Sequence, residues 1–209
     1  MRKIAESTVR RLSLYLRLLE ESQSERAATV SSEFLASRGG TTSAQVRKDL
    51  SFFGSFGKRG LGYPVEVLVG KLRHILGLTR SYRVIVIGAG KIGSALVQYG
   101  GFKARGFDLA AIYDNDPKKI GREWTGLRVR DIVQLERDLR QHPADIAAVV
   151  TPAEAAQEVA DRLVKSGVSA ILNFAPAQLV VPESVTVKTV NLVLELEALS
   201  YALAGKGED

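Results

Sequence analysis

The chain has 209 residues, 45% of them hydrophobic, a formal net charge of +6 and no cysteine. That length allows one large domain or two smaller ones with real cores, and the missing cysteines exclude disulfides, thiolate metal sites and cysteine nucleophiles. No apolar run reaches the length of a membrane span, and no apolar h-region follows Arg2 and Lys3, so the expected location is cytoplasmic, with no membrane partner. The charge is unevenly placed: residues 1–80 hold 14 Lys/Arg against 7 Asp/Glu, and the remainder 15 against 16. A polyanion partner is expected for the first part alone.

Leu12, Tyr15, Leu16 and Leu19 fall at i, i+3, i+4, i+7, which predicts a first helix over residues 8–21. A polar break follows, and Ser31 or Ser32 caps a short second helix that Gly39-Gly40 ends. Thr42-Ser-Ala-Gln45 reads as a capping box opening a third helix. Val46, Leu50 and Phe53 lie on the inner face of that helix; Ser43, Ala44, Arg47, Lys48 and Ser51 lie on the outer one. Helix, tight turn and capped helix with a small, basic outer face is the helix-turn-helix pattern: small residues allow close approach in a major groove, and Arg and Lys reach guanine or phosphate. The glycine-rich stretch over residues 54–64, with Lys58 and Arg59 at its tip, reads as a basic wing. Pro64 suits the first turn of a fourth helix, whose apolar stripe is Val65, Leu68, Val69, Leu72, Ile75 and Leu76. Residues 78–82 form a short linker.

Val84–Ile87 is a β-branched run that ends in Gly88-Ala89-Gly90-Lys91-Ile92-Gly93 before a helix. In a strand–turn–helix setting the first glycine makes the turn, the second lets a pyrophosphate approach the backbone, and the third lets the helix pack on the strand. The helix N-terminus offers free N–H groups to the phosphates. A second strand, residues 109–113, ends at Asp114, 21 residues beyond Gly93. A carboxylate there accepts hydrogen bonds from the adenosine ribose and favours NAD(H) over NADP(H); Lys118 and Lys119 could offset that preference. Residues 131–141 and 153–165 read as helices, and 146–150 and 170–174 as strands, giving a parallel sheet with helices on both faces. Thr151-Pro152 and Asn173-Phe174-Ala175-Pro176 fall at strand carboxyl ends, where such sheets bind ligands. Residues 192–204 form a helix too apolar for a free terminus, which packs on its own subunit or crosses to a partner.

No acid–base residue for hydride chemistry is visible at those strand ends: His74 and His142, the two histidines, lie on predicted helices elsewhere. No Ser-His-Asp arrangement, zinc spacing or Walker A motif appears, so no catalytic residue and no metal is expected.

The chain resembles the redox-sensing transcriptional repressor (Rex) family over essentially its whole length. The residues that carry the likeness are Arg47-Lys-Asp-Leu-Ser-Phe-Phe-Gly54, Gly57-Lys-Arg-Gly-Leu-Gly-Tyr63, Leu72-Arg-His-Ile-Leu-Gly77, Gly88–Gly93 and Asn173-Phe-Ala-Pro176. The resemblance implies an α/β protein with a winged-helix DNA-binding domain over 1–80, a Rossmann-like, CoA-binding-type NAD(H) domain over 81–190, and a C-terminal helix over 191–209 exchanged in a homodimer. It implies repression from a palindromic double-stranded operator, with release when NADH replaces NAD+. Ser43, Gln45, Arg47, Lys48 and Ser51 would face DNA, with Lys58 and Arg59 in the wing. Gly88–Gly93, Asp114, Thr151, Pro152 and Asn173–Pro176 would hold the coenzyme, and Tyr99 would sit near the nicotinamide. Asn191 stands where the family usually has an aspartate, thought to pair with Tyr99 or with Arg17. An NAD-dependent oxidoreductase with a basic dimerisation head is the alternative from another class; a regulator of CoA or another nucleotide is a third.

Overall fold

The computed structural model describes residues 4–54, 56–57 and 61–205. It divides into two units, Met1–Arg80 and Ser81–Asp209.

In the first unit, α1 (Glu6–Ser24) buries Leu12, Tyr15, Leu16 and Leu19 and runs beyond the expected bounds at both ends. Next come β1 (Thr29–Val30) and α2 (Ser32–Arg38). Ser31 is the cap of α2, its hydroxyl accepting from the Phe34 N–H at 3.0 Å. α3 (Ser43–Ser51) is capped by Thr42, which accepts from the Gln45 N–H at 3.1 Å. Only half of the expected capping box forms. The Gln45 side chain turns to the carboxylate of Asp49 instead, a charged acceptor that an amide N–H donor prefers. β2 (Tyr63–Pro64) pairs antiparallel with β1, tying the base of the expected wing to the chain before α2. Pro64 therefore sits in this ladder as the residue preceding α4 (Val65–Ile75), not inside it. One core gathers α1, α2, α3 and α4 through Leu16, Leu35, Val46, Leu50, Leu68 and Leu72.

The second unit begins with β3 (Tyr82–Ile87), α5 (Lys91–Gln98), α6 (Gly101–Ala104) and β4 (Phe107–Asp114). A hairpin, β5 (Glu123–Trp124) and β6 (Leu127–Asp131), stands where a crossover helix is common. The expected helix over 131–141 is a 3₁₀ turn at Ile132–Gln134, capped by Asp131, and then α7 (Leu135–Gln141). β7 (Ile146–Val149), α8 (Ala153–Lys165), β8 (Ala170–Asn173), β9 (Thr186–Thr189) and α9 (Leu192–Ala204) complete it. The sheet order is β5-β6-β4-β3-β7-β8-β9, parallel except for the edge pair β5/β6. Each strand's alternation divides the core. Ile85, Ile87 and Tyr113 face a cluster with Leu135, Ala156 and Leu163 of α7 and α8. Val86, Ile112 and Ala148 face the other side with Val97 of α5. That second face is incompletely covered: an apolar cavity of about 250 Å³ lies along Val84, Val86, Leu109, Ile146, Ala148 and Leu172.

Candidate functional site

The sheet reverses direction of travel at β3, which has β4 on one side and β7 on the other. The carboxyl ends of β3 and β7 therefore frame the topological switch point, the usual ligand crevice of such sheets. Gly88 leaves β3 at φ +111°, and a Cβ on it would stand 2.7 Å from the Val150 carbonyl oxygen. A Cβ on Gly93 would drive into the Gly88 carbonyl. These two glycines close the turn and seat α5. Gly90 differs: a Cβ there would meet nothing within 4 Å. It is the N-cap of α5, with no side-chain cap and no acid in the first turn. The start of α5, uncapped and with open space beside Gly90, offers first-turn N–H groups and a positive dipole end that suit a phosphate group.

Asp114 lies beside this turn. One carboxylate oxygen accepts from the Ala89 N–H at 2.6 Å and pairs with Lys119 Nζ at 3.1 Å; the other accepts from the Asp116 N–H at 2.8 Å. Burial pushes the Asp114 carboxyl up, but the N–H groups of Asp116 and Ala89 and the Lys119 ammonium outweigh it, and its pKa lies below the ordinary value. Lys119 thus stands against the acid, while Lys118 contributes its backbone N–H to Asp116. The Thr151 hydroxyl is buried at the end of β7 with no hydrogen-bond partner. A buried hydroxyl left unpaired is costly, and a ligand's polar atom in the crevice would satisfy it. An open cradle at Gly90, an uncapped helix start, a carboxylate and an orphan hydroxyl fit a dinucleotide.

The Asn173 side chain is fully buried and turned into its own loop. It donates to the carbonyls of Ala175 and Ala177 at 3.3 and 2.8 Å and accepts from the Ala175 N–H at 2.9 Å. It shapes the Phe174–Pro176 turn that the next strand end presents, with most of its hydrogen-bonding capacity used there. Tyr99 is not brought to these strand ends: it caps the far end of α5 from Gly90, roughly 13–14 Å along the helix axis. There it is 61% exposed and packs edge-on against Phe102. Asn191 caps α9, accepting from the Val193 N–H at 3.0 Å, and Arg17 pairs with Glu21 on α1.

In the first unit, Ala44, Arg47, Lys48 and Ser51 are exposed on one face of α3, and Ser43 is half-buried beside them. Arg47 donates to the Ser32 hydroxyl at 3.0 Å and approaches Glu33 at 3.6 Å. Lys58 and Arg59 lie outside the described residues. Behind this face stands a buried ionic network that helical periodicity does not reveal. Asp49 is buried, and its carboxylate takes Arg11 through two nitrogens at 2.6 and 2.8 Å, the Tyr15 hydroxyl at 3.1 Å and the Gln45 amide at 2.8 Å. Burial raises the Asp49 carboxyl, but the hydrogen bonds from Arg11 and Gln45 outweigh it and hold it below its ordinary pKa. Burial and the adjacent carboxylate push the Tyr15 hydroxyl up to about 12. An aspartate between the inward Val46 and Leu50 was the available signal.

A helix-turn-helix head and a dinucleotide crevice in one chain are the two parts of a ligand-responsive DNA-binding regulator. The comparisons with known proteins agree in both parts. Residues 3–51 match the model described as the N-terminus of a putative DNA-binding protein, and residues 79–177 match the CoA binding domain. The redox-sensing transcriptional repressor Rex of Streptomyces coelicolor is 48% identical over 96% of this chain and 78% of its own. That of Syntrophomonas wolfei is 48% identical over 97% and 96%. RSP, solved with β-NAD+ and operator DNA, superposes with a TM-score of 0.93 at 38% identity, covering 99% of this chain and 95% of that one. RSP with β-NADH gives 0.89 at 36% identity, covering 99% and 97%. The chain belongs to the redox-sensing transcriptional repressor Rex family. It is a repressor by family, and the oxidoreductase alternative falls.

Proposed function

We infer that this chain represses transcription from a palindromic operator as a homodimer and leaves it when NADH occupies the crevice at the ends of β3 and β7. The observation that carries the reading is the uncapped start of α5 with open space at Gly90, set beside the buried Asp114 and the unpartnered Thr151 hydroxyl. Gly88–Gly93 would take the pyrophosphate on backbone N–H groups. Asp114 would accept from the adenosine ribose, and Thr151 would donate to, or accept from, the middle of the coenzyme. Pro152 and the Asn173–Pro176 turn form the remaining wall. When bound, the coenzyme contributes a nicotinamide whose two states differ by one charge and by ring shape, so coupling to DNA rests on differential contact with those features. RSP has been solved with NAD+ on operator DNA and with NADH, a pairing that supports the same assignment of states here.

Arg47, Lys48 and Ser51, flanked by Ser43 and Gln45, form the groove-facing surface, with Lys58 and Arg59 assigned to the wing. The homodimer is supported by α9. Leu192, Val193, Leu194, Leu196, Leu199, Tyr201 and Leu203 are all more than half exposed, a larger apolar surface than a soluble monomer normally carries. A second copy's α9 is its natural cover, and the apolar cavity on the α5 side of the sheet is a seat of matching character. Such a dimer presents two recognition helices, and its half-sites lie about one helical turn apart. The test is a titration of operator duplex against the protein with NADH, with NAD+ and with neither. NADH is expected to weaken binding at least several-fold relative to NAD+, since allosteric couplings are typically about 1–3 kcal/mol. Equal affinity in all three conditions would refute the sensing function.

A further inference from the structure

α3 carries a buried carboxylate whose four acceptor positions are all taken. Asp49 is 4% exposed. One of its oxygens receives Arg11 Nε and the Tyr15 hydroxyl; the other receives Arg11 Nη2 and Gln45 Nε2. The group holding the Gln45 side chain is therefore a pure acceptor. That settles which way the amide points, because an ionised carboxylate takes a hydrogen bond only from the nitrogen end. The oxygen, Oε1, and the second hydrogen on Nε2 are left for whatever approaches. Gln45 is the third residue of α3 and half-buried at the flank of its exposed face. Residues at the start of a recognition helix are those that reach base edges.

We propose that Asp49 is a positioning residue that locks the Gln45 amide in one orientation, so that Gln45 reads an adenine in the major groove. Adenine presents an N6–H donor beside the N7 acceptor, the complement of a carbonyl oxygen beside an N–H. Guanine presents two acceptors, O6 and N7, and would set O6 against Oε1. Turned over, the amide could give O6 a single hydrogen bond from Nε2, but its oxygen would then face the Asp49 carboxylate. Arg11 makes the lock rigid: its fork crosses from α1 to hold the carboxylate through both oxygens, so the acceptor is fixed from outside its own helix. The proposal rests on the reading of α3 as the DNA-facing helix and goes beyond it by naming the base and the residue that enforces it.

The experiment selects duplexes from a randomised library with the full-length protein and with Gln45→Met, Gln45→Glu and Asp49→Asn, then measures affinities for single-base variants of the enriched half-site. The wild type is expected to enrich an adenine at one position of each half-site. Gln45→Met should lose the preference at that position alone, by about five- to 150-fold, the span of the ~1–3 kcal/mol by which a bidentate base contact discriminates. Gln45→Glu, repelled by Asp49 and left with acceptors only, should shift the preference there to cytosine, whose N4 amino group donates. Asp49→Asn, whose amide can face Gln45 with either end, should flatten the adenine-over-guanine ratio at the same position. A loss of general helix order would lower affinity for every duplex without changing any base ratio, so the ratio separates positioning from structure. If Asp49→Asn unfolds the head, the Gln45→Glu selection alone decides. An enriched motif with every base preference unchanged in Gln45→Met or Gln45→Glu overturns the proposal, as does a folded Asp49→Asn variant with the full adenine ratio. No enrichment by the wild type overturns the DNA reading of α3 and this proposal with it.

Discussion

Replacing Asp114 with Ala tests the coenzyme site at a buried carboxylate. The carboxylate does two things that can be weighed separately. It satisfies the Ala89 N–H inside the glycine turn at 2.6 Å and holds the turn into Asp116 through that residue's N–H at 2.8 Å. With Lys119 also in place, one acceptor position remains open on the oxygen facing Asp116, enough for one ribose hydroxyl. A hydrogen bond to a charged group contributes about 1.5–3 kcal/mol, and a buried N–H left without its acceptor costs a further ~1–3 kcal/mol. Only the first acts on binding directly; part of the second is felt in the free protein as well. NADH affinity in Asp114→Ala should therefore fall by roughly ten- to a hundredfold, the span of ~1.4–2.8 kcal/mol. Discrimination against NADPH should shrink at the same time. A phosphate about 5 Å from a carboxylate is opposed by ~0.8 kcal/mol per charge pair at the dielectric of water and ~3 kcal/mol at an effective value of 20. Without the carboxylate, Lys119 is released to meet the phosphate. Trp124, the single tryptophan of the chain, lies on the β5/β6 hairpin packed against the α5 side of the core, so quenching of its emission by energy transfer to the reduced nicotinamide gives the titration. An Asp114→Ala dissociation constant equal to the wild type's, with the NADH-to-NADPH ratio unmoved, would leave the residue as a turn cap and refute the assignment.

Gly93→Ala would press a methyl group into the Gly88 carbonyl; an overpacking cost of ~1–3 kcal/mol should weaken NADH binding tenfold or more while duplex binding without coenzyme persists, and unchanged NADH affinity would show that the turn does not constrain the site. Arg47→Ala and Lys48→Ala should each weaken operator binding, by ~1–3 kcal/mol where a base contact is lost, and wild-type affinity in both by fluorescence anisotropy would disprove the assigned face. Leu196→Asp on α9 should break the proposed homodimer, giving a monomer by light scattering where the wild type gives a dimer, whereas a dimer that persists in the variant would place the interface elsewhere. Arg162 forks onto Glu136 at 2.6 and 2.9 Å and donates to the Ile132 carbonyl, tying α8 to α7; those hydrogen bonds hold the Glu136 pKa down at about 2. Because that value lies below the ordinary one, the stabilisation is present above roughly pH 4.5 and is lost as the pH falls toward 2. Both side chains are a quarter to a third exposed, so solvent screening limits the effect to about 1 kcal/mol, and urea midpoints of wild type and Arg162→Met should converge from pH 6 to pH 3.

The helices and central strands were legible because their patterns are long: Leu12, Tyr15, Leu16 and Leu19 admit one periodicity, and Val84–Ile87 leads straight into the glycine turn. The short ladders were not. β1 and β2 have two residues each, and β5, β6 and β9 are short, charged or half-exposed segments at or next to the sheet edges, whose pairing is decided by neighbours rather than by their own alternation. At the coenzyme site, the glycines and Asp114 could be read from spacing, since a strand–turn–helix unit fixes their offsets. What Asn173 does could not: a buried amide chooses among carbonyls and N–H groups, and only the folded loop shows that Ala175 and Ala177 win. The Asp49 network was hidden for a related reason, as Arg11 and Asp49 are 38 residues apart and meet only when α1 packs against α3.

α9 has no buried residue within its own chain. A thirteen-residue segment with nothing to lean on is close to the lower limit of helices that persist in water. Its order must then be borrowed through association, and mass action ties that order to how much protein is present. Dilution would fray the segment before either core is touched, so the thermal midpoint should climb with concentration. In a cell holding few molecules of the regulator, the number of copies would itself govern how many are fit to grip both halves of an operator.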